Sequence, residues 1–177
     1  MTRDELSRAL RDAAYLEGDF VLRSGRRSKY YLDKYRFETR PDLLRALGER
    51  LAAQVREHAP EASRIAGPEL GAVALAAAAS LESGLPFLIV RKDAKGYGTA
   101  NRLEGAFEAG EDVCLVEDVV TSGGAAVSAV EALREAGLAC SNAICVVDRE
   151  EGGVDELARH AVRLRPLFTA SDVLSGT

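Results

Sequence analysis

The sequence predicts a single α/β domain in which helices cover both faces of a mostly parallel sheet. Short, continuously apolar runs at 113–116 and 143–147 alternate with helical segments, and such runs are typical of strands buried on both faces. The chain has 177 residues, the length of one domain, and 47% of them are hydrophobic. We find no internal repeat or linker. We therefore expect one domain over residues 1–177, with a small N-terminal α+β hood at about 1–40 and a core at about 41–177.

The N-terminal segment predicts an amphipathic helix followed by a hairpin. Thr2 and Glu5 have the spacing of a capping box, and apolar residues then recur at helical spacing to about Leu16. Two short runs of strand-forming residues, 20–22 and 30–32, are separated by a polar and basic stretch, which is the pattern of a hairpin.

The rest of the chain predicts alternating helices and strands. Pro41 opens a helix, and a short strand at 64–66 leads through the turn 67–71 into an Ala-rich helix with Gly84 as its cap. Further strands are expected at 86–90, 113–116 and 143–147, and a further helix is expected at 125–136. Ligands of such sheets bind at the carboxyl ends of the strands. We therefore look for functional residues in the segments that follow them.

Composition and charge exclude several classes of function. The net charge of −5 argues against a broad nucleic-acid-binding face. The three cysteines, Cys114, Cys140 and Cys145, are odd in number and lack the spacing of a zinc site or a disulfide framework. The sequence has no signal peptide and no run of about 18 apolar residues. We expect a cytoplasmic protein that binds neither nucleic acid nor membrane.

The segment 117–125 carries the strongest chemical pattern in the chain. Two adjacent carboxylates, Glu117 and Asp118, follow an apolar strand, and a Thr/Ser/Gly loop then leads into a helix. The unpaired N–H groups at a helix start favour phosphate, and glycines let it approach closely. Because carboxylates repel phosphate, they suit sugar hydroxyls, or Mg²⁺ through water. The pattern favours a ribose-phosphate site; the alternative is an ordinary turn beside solvated acids.

Other nucleotide-binding patterns are absent. The sequence contains no G-x-x-x-x-G-K-[ST], and Gly96 and Gly98 supply only the first half of a G-x-G-x-x-G. ATP-binding and dinucleotide-binding folds are therefore disfavoured.

Residues 116–124, Val-Glu-Asp-Val-Val-Thr-Ser-Gly-Gly, resemble the signature of the type I phosphoribosyltransferases, which bind 5-phosphoribosyl 1-pyrophosphate (PRPP). Three further segments, 20–31, 91–99 and 147–153, resemble the hairpin, the catalytic loop and the substrate-reading segment of the orotate phosphoribosyltransferases. The resemblance implies the type I phosphoribosyltransferase fold. It also implies transfer of the phosphoribosyl group of PRPP to orotate, giving orotidine 5′-monophosphate and pyrophosphate in pyrimidine (UMP) biosynthesis.

The resemblance further implies roles for individual residues. Glu117 and Asp118 would hold the ribose hydroxyls, and the loop from Thr121 to Ala125 would cradle the 5′-phosphate. The implied PRPP-binding residues are Arg91, Lys92, Lys95, Tyr97, Glu117, Asp118, Val119, Val120, Thr121, Ser122, Gly123, Gly124 and Ala125. The implied catalytic residues are Arg91, Lys92, Lys95 and Asp118. The implied orotate-binding residues are Thr121, Arg149, Arg23, Tyr30 and Tyr31, and the turn 67–71 matches the family's pyrophosphate loop.

The loop 91–99 is implied to be a lid that closes over the pyrophosphate and reaches the site of a neighbouring subunit. The resemblance thus implies a homodimer with a shared catalytic loop. Mg²⁺ is the implied cofactor, held mainly by PRPP and water and not directly by the protein. The positive charge on the lid would stabilise the leaving pyrophosphate, and Arg149 would suit the carboxylate of orotate.

Three residues depart from the family pattern. Arg23 stands where many members have Lys, Tyr97 where many have His, and Gly96 where an acidic residue is common. These departures leave the kinetics and the pH dependence of the loop open.

The distribution of lysine is uneven. The chain has 19 Arg but four Lys, and these are Lys29 and Lys34 in the N-terminal segment and Lys92 and Lys95 in the loop 91–99. A flexible point charge suits a moving lid, so Lys92 and Lys95 fit the implied role. Lys29 and Lys34 are the weaker case, because exposed charges would give the same pattern.

Two other functions stay open on the sequence. A PRPP-binding regulator that also binds nucleic acid would need a basic face, and residues 23–40 do contain seven basic and two acidic residues. We assign that patch to anionic ligands, because it coincides with the hairpin of the resemblance. A phosphoribosyltransferase for purine bases is the other alternative, against which Arg149 and the hairpin argue.

Overall fold

The computed structural model describes residues 1–21, 25, 27–93 and 102–176. Within them the elements are α1 (Arg3–Ala14), β1 (Tyr15–Val21), β2 (Arg27–Leu32), α2 (Tyr35–Glu38), α3 (Pro41–His58), β3 (Arg64–Pro68), α4 (Gly71–Ser83), β4 (Phe87–Val90), β5 (Leu103–Glu104), β6 (Asp112–Val120), α5 (Gly124–Glu135), β7 (Ala139–Asp148), α6 (Gly153–Arg159), β8 (Arg163–Thr169) and α7 (Ala170–Ser175). No helix in these ranges is long and apolar enough to cross a membrane.

The described strands of the main sheet lie in the order β5-β4-β3-β6-β7-β8. β5 is antiparallel to β4, and the other neighbouring pairs are parallel, so the predicted mostly parallel sheet is confirmed. From the border between β3 and β6, the chain winds through α4 to β4 on one side and through α5 to β7 on the other. The carboxyl ends of β3 and β6 therefore flank the crevice where sheets of this kind bind ligands.

Both faces of the sheet are buried, as the apolar runs predict. Cys114 and Val116 of β6 pack in a cluster with α1, α3 and α4, while Val113 and Leu115 pack in a second cluster with α5. Successive residues of a strand point to opposite faces. A strand that is buried on both faces is therefore continuously apolar instead of alternating.

The N-terminal elements follow the prediction closely. The backbone N–H of Glu5 donates to Thr2 Oγ1, and the backbone N–H of Thr2 donates to Glu5 Oε2, which confirms the capping box. Helix α1 ends at Ala14 and not near Leu16, because the next residues enter β1 and pair with β2. The two strands form the expected hairpin as a separate antiparallel sheet. Leu10 of α1 belongs to the same cluster as α3 and α4, so the hood shares its core with the main sheet.

Two parts of the fold differ from the expectation. Strand β6 continues to Val120, so Glu117 and Asp118 lie within the strand and not after it, because pairing with β7 extends to Asp148. The segment after Asp148 forms α6, β8 and α7, which the sequence pattern did not reveal. β8 lies at the edge of the sheet and contains two arginines and Pro166, residues that an edge strand tolerates and that hide its apolar pattern.

Candidate active site at the carboxyl ends of the strands

The predicted acid pair lies buried near the end of β6. Glu117 is 7% exposed and Asp118 is 2% exposed. A Cβ atom added to Gly71, the first residue of α4, would lie 1.9 Å from Asp118 Oδ2, so any larger residue there would displace this carboxylate. Gly71 belongs to the turn 67–71 that follows β3. The turn and the acid pair thus meet at the predicted edge of the sheet.

Asp118 has a cationic partner in the N-terminal hood. Lys34 Nζ lies 2.6 Å from Asp118 Oδ2, and the backbone N–H of Val119 donates to Asp118 Oδ1. Burial opposes the charge on Lys34, but the charge of Asp118 and the hydrogen bond to it raise the pKa of Lys34 above its ordinary value. On the sequence alone, Lys34 had weaker support for a functional role than Lys92 and Lys95, but in the structure it contacts the acid pair. Lys29 instead pairs with Asp19, which also belongs to the hood, and the Lys29 side chain is 85% exposed.

A third carboxyl group, which the sequence reasoning missed, enters the site from α2. Glu38 is 4% exposed, and its Oε1 lies 3.0 Å from the same added Cβ position on Gly71. Among the described residues no hydrogen-bond donor reaches this oxygen. Burial and the nearby Asp118 raise the pKa of Glu38 to about 7, and the same two causes raise the pKa of Glu117. The one sequence signal is the spacing of four residues between Lys34 and Glu38, which places both on one side of a helical turn.

The loop 121–125 leads from β6 into the start of α5. Gly123 precedes α5 with a left-handed backbone (φ 87°), a conformation that favours glycine, and no side chain of the described residues caps the helix. Four residues next to Gly123 are exposed: Thr121, Ser122, Gly124 and Ala125. The start of α5 is thus bordered by exposed residues, at the place where the sequence predicts an anion to bind.

Arg149 lies beside this loop. Its backbone N–H donates to the carbonyl of Val120 at 2.8 Å, and its guanidinium carbon lies 5.4 Å from the centre of the Tyr30 ring. The guanidinium also pairs with Glu151 at 3.1 Å, and its side chain is 8% exposed. Two predicted orotate-binding residues, Arg149 and Tyr30, therefore come together from distant parts of the chain. Tyr31 does not join them, because it faces the other side of the hairpin, where its ring packs 5.6 Å from that of Phe20.

The start of the predicted lid lies against the turn 67–71. The backbone N–H of Lys92 donates to Glu69 Oε1 at 2.7 Å, and Arg91 Nη1 lies 3.6 Å from Glu104 Oε1. These contacts bring Arg91 and Lys92 to the same edge of the sheet as the acid pair. The predicted site residues Lys95, Tyr97 and Arg23 lie outside the described residues.

A cavity of about 590 Å³ lies elsewhere in the molecule. Ser141, Asn142 and Arg163 line it, at the amino ends of β7 and β8. The predicted chemistry converges at the opposite ends of the strands, so we place the candidate site there and not in this cavity.

The chain matches known proteins over nearly its whole length. Residues 40–165 match the phosphoribosyl transferase domain family. The orotate phosphoribosyltransferase of Natronomonas pharaonis is 48% identical to this chain over 176 residues, which cover 99% of both proteins. This chain belongs to the orotate phosphoribosyltransferase family.

Solved structures of this family share the fold. The orotate phosphoribosyltransferase from Aeropyrum pernix has a TM-score of 0.85 and 34% identity, over 96% of both chains. The orotate phosphoribosyltransferase of Mycobacterium tuberculosis in complex with PRPP has a TM-score of 0.81 and 27% identity, over 97% of this chain and 98% of that one. The expected family and the expected type I phosphoribosyltransferase fold are confirmed.

Proposed function

We propose that this enzyme transfers the 5-phosphoribosyl group of PRPP to orotate, giving orotidine 5′-monophosphate and pyrophosphate in pyrimidine biosynthesis. One observation carries the proposal. In a chain of the orotate phosphoribosyltransferase family, a buried acid pair, an accessible helix start and the Arg149 guanidinium converge at one edge of the sheet. These features suit the ribose hydroxyls, the 5′-phosphate and the carboxylate of orotate, respectively.

The proposed placement of PRPP follows from the chemistry of the acid pair and the loop. Asp118 and Glu117 would accept hydrogen bonds from the ribose hydroxyls, and the loop 121–125 would hold the 5′-phosphate through backbone N–H groups and hydroxyls. The site then fixes both ends of the ribose. Holding two reactants in line contributes roughly 7–11 kcal/mol to lowering a barrier.

The proposed placement of orotate rests on Arg149. Its Nε atom is buried and has no acceptor among the described residues. A carboxylate of orotate would accept from Nε and from a terminal nitrogen together, which is the geometry that a guanidinium favours. The ring of Tyr30 would border the same position, since it already lies against the guanidinium. Thr121 is an accessible neighbour on the adjoining loop.

The proposed reaction needs no nucleophile from the protein. The bond from C1 of the ribose to pyrophosphate breaks, and its electron pair leaves with pyrophosphate. N1 of orotate forms the new bond to C1 and loses its proton to solvent. Arg91 and Lys92, together with Lys95 and Tyr97, would meet the charge that grows on the pyrophosphate. One well-placed donor at such a charge is worth about 3–4 kcal/mol.

Mg²⁺ is the proposed cofactor. The described residues contain no group of three acidic, histidine or cysteine side chains that could hold a metal ion, and the ammonium of Lys34 already lies against Asp118. Mg²⁺ retains several waters and readily binds substrate phosphates. The ion therefore fits a position on the pyrophosphate of PRPP, with water between it and the protein. There it would neutralise part of the leaving-group charge.

A homodimer with a shared catalytic loop and a cytoplasmic location are also part of the proposal. Both rest on the family resemblance. In such a dimer Lys95 and Tyr97 of one subunit would act on PRPP bound to the other, so neither residue would need to reach the acid pair of its own chain.

The proposed function is tested by a competition between acceptor bases. The purified protein is mixed with PRPP and MgCl₂ and with either orotate, hypoxanthine or adenine, and the loss of each base is followed by its absorbance. We expect turnover with orotate and none with the purines. The Asp118→Asn variant provides the background rate. Turnover with a purine base and none with orotate would overturn the proposal.

A further inference from the structure

We propose that Lys34 is a positioning residue for PRPP, which orients the Asp118 carboxylate toward the ribose from the N-terminal hood. The inference rests on the proposed function, because it takes Asp118 as the group that binds the ribose hydroxyls. Lys34 lies outside the signature segment 116–124 and outside the lid, and its role becomes visible when the chain is folded.

Lys34 contacts Asp118 directly. Lys34 Nζ lies 2.6 Å from Asp118 Oδ2, across 84 positions of sequence, and the Asp118 side chain is 3% exposed. The side chain of Lys34 is 33% exposed, so the ion pair joins a buried carboxylate to a side chain that reaches solvent.

Asp118 lies among other acidic groups. Glu38 and Glu117 are also buried, and the Oε1 of Glu38 approaches the same point above Gly71 as Asp118 Oδ2 does. Acidic groups this close together repel each other, and burial strengthens the repulsion. Without Lys34, Asp118 would face these acids alone. The carboxylate would then no longer be held in its present orientation.

The ion pair does not use all the acceptor positions of the Asp118 carboxylate. A carboxylate has two acceptor positions on each oxygen. Lys34 uses one on Oδ2, and the backbone N–H of Val119 uses one on Oδ1. Neither contact uses both positions of its oxygen, so a ribose hydroxyl can share the Asp118 carboxylate with Lys34. Lys34 can therefore hold Asp118 in place while PRPP is bound.

The chain offers a matched control. Lys29 also pairs with an aspartate, Asp19, at 2.5 Å within the same hood, but both side chains are exposed. Lys29→Met removes the same chemical group from the same region. Although the sequence places Lys29 in the basic patch 23–40, in the structure its ammonium pairs with the exposed Asp19 and not with the acid pair. We therefore expect Lys29→Met to leave PRPP affinity unchanged, because an exposed pair neither orders a buried carboxylate nor contributes much to stability.

The test is a double-variant cycle on PRPP affinity. Calorimetric titrations with PRPP and MgCl₂ compare the parent protein with Lys34→Met, Asp118→Asn and the double variant. We expect Lys34→Met to weaken PRPP binding about tenfold, and Lys34→Arg to restore most of it because the charge returns. Since Lys34 acts through Asp118, we expect the double variant to bind no more weakly than Asp118→Asn alone. Thermal unfolding of each variant verifies that the comparison is between folded proteins.

The outcomes separate this inference from the proposed function. If Asp118→Asn leaves PRPP affinity unchanged, the proposed role of Asp118 is wrong, and that of Lys34 is wrong with it. If Asp118→Asn weakens binding while Lys34→Met does not, or if the two effects add in the double variant, Lys34 does not act through Asp118. If Lys34→Met fails to fold, Lys34→Gln, which also removes the charge, replaces it in the same cycle.

Discussion

The carboxyl group of Glu38 gives the sharpest test of the electrostatics at the site. Its pKa rises from an ordinary 4.5 to about 7 in the folded protein, because it is buried and lies near Asp118 and Asp33, while Lys34 acts in the opposite direction. Between pH 4.5 and pH 7 the folded protein therefore binds more protons at Glu38 than the unfolded chain does. The contribution of Glu38 to the free energy of unfolding is therefore fully present below about pH 4.5. It decreases as the pH rises to 7, and it stays low above pH 7.

The size of this loss follows from the two pKa values. Their difference corresponds to about 3.4 kcal/mol at 1.36 kcal/mol per pH unit. The neighbouring Lys34 side chain is 33% exposed, so solvent reaches the site and screening reduces the expected value to about 2 kcal/mol. Glu38→Gln keeps the shape of the side chain and removes the charge. We expect the variant to be about 2 kcal/mol more stable than the parent at pH 8, and to lose most of this advantage by pH 5.

Urea unfolding at pH 5, 6, 7 and 8 measures the difference. The pKa of Glu117 is also raised, but Glu117 is present in both proteins, so its effect on the difference in unfolding free energy largely cancels. Glu131→Gln, at an exposed position of α5, is the control and is expected to show no such trend. A Glu38→Gln protein that is less stable than the parent at pH 8, or whose advantage is the same at every pH, would refute the reasoning.

Three further predictions concern the substrates. Gly71→Ala places a methyl group 1.9 Å from Asp118 Oδ2, so we expect PRPP affinity to fall at least about tenfold, and an unchanged titration would contradict this contact. Arg149→Ala is expected to raise the KM for orotate about 10–150-fold with little change for PRPP, since hydrogen bonds to a charged group are worth about 1.5–3 kcal/mol; equal effects on both substrates would argue against a contact with orotate. Lys95→Ala is expected to lower kcat about 10²–10³-fold and to affect PRPP affinity far less. Mixed with inactive Asp118→Ala, it should regain partial activity if subunits share the loop, and heterodimers without any recovery would show that each site is complete in one chain.

The sheet and its functional edge could be predicted because their signals are local. The continuously apolar run before Glu117 indicates a strand buried on both faces, and the glycines after Thr121 indicate an accessible helix start. The structure confirms the buried strand and the helix that begins at Gly124. The extension of β6 through Asp118 was not visible, because two carboxylates are rare inside a strand and the pairing with β7 that holds them there is a tertiary contact.

The relative importance of the lysines and acids could not be predicted for the same reason. Lys29 and Lys34 flank the same predicted strand at 30–32, yet one pairs in solvent and the other pairs with a buried acid far along the chain. Glu38 reaches the site through α2, a helix of four residues that is too short for a periodic pattern. The alternation of side chains on β2 separates Tyr30 from Tyr31. That separation follows from strand geometry once the hairpin register is fixed.

The most direct measurement follows both products of the proposed reaction. The protein is incubated with equal amounts of orotate and PRPP in the presence of MgCl₂, and orotidine 5′-monophosphate and pyrophosphate are quantified in the same sample. We predict that both appear in equal amounts and that omitting orotate stops pyrophosphate release. No nucleotide formation, or release of pyrophosphate without loss of orotate, would contradict the account.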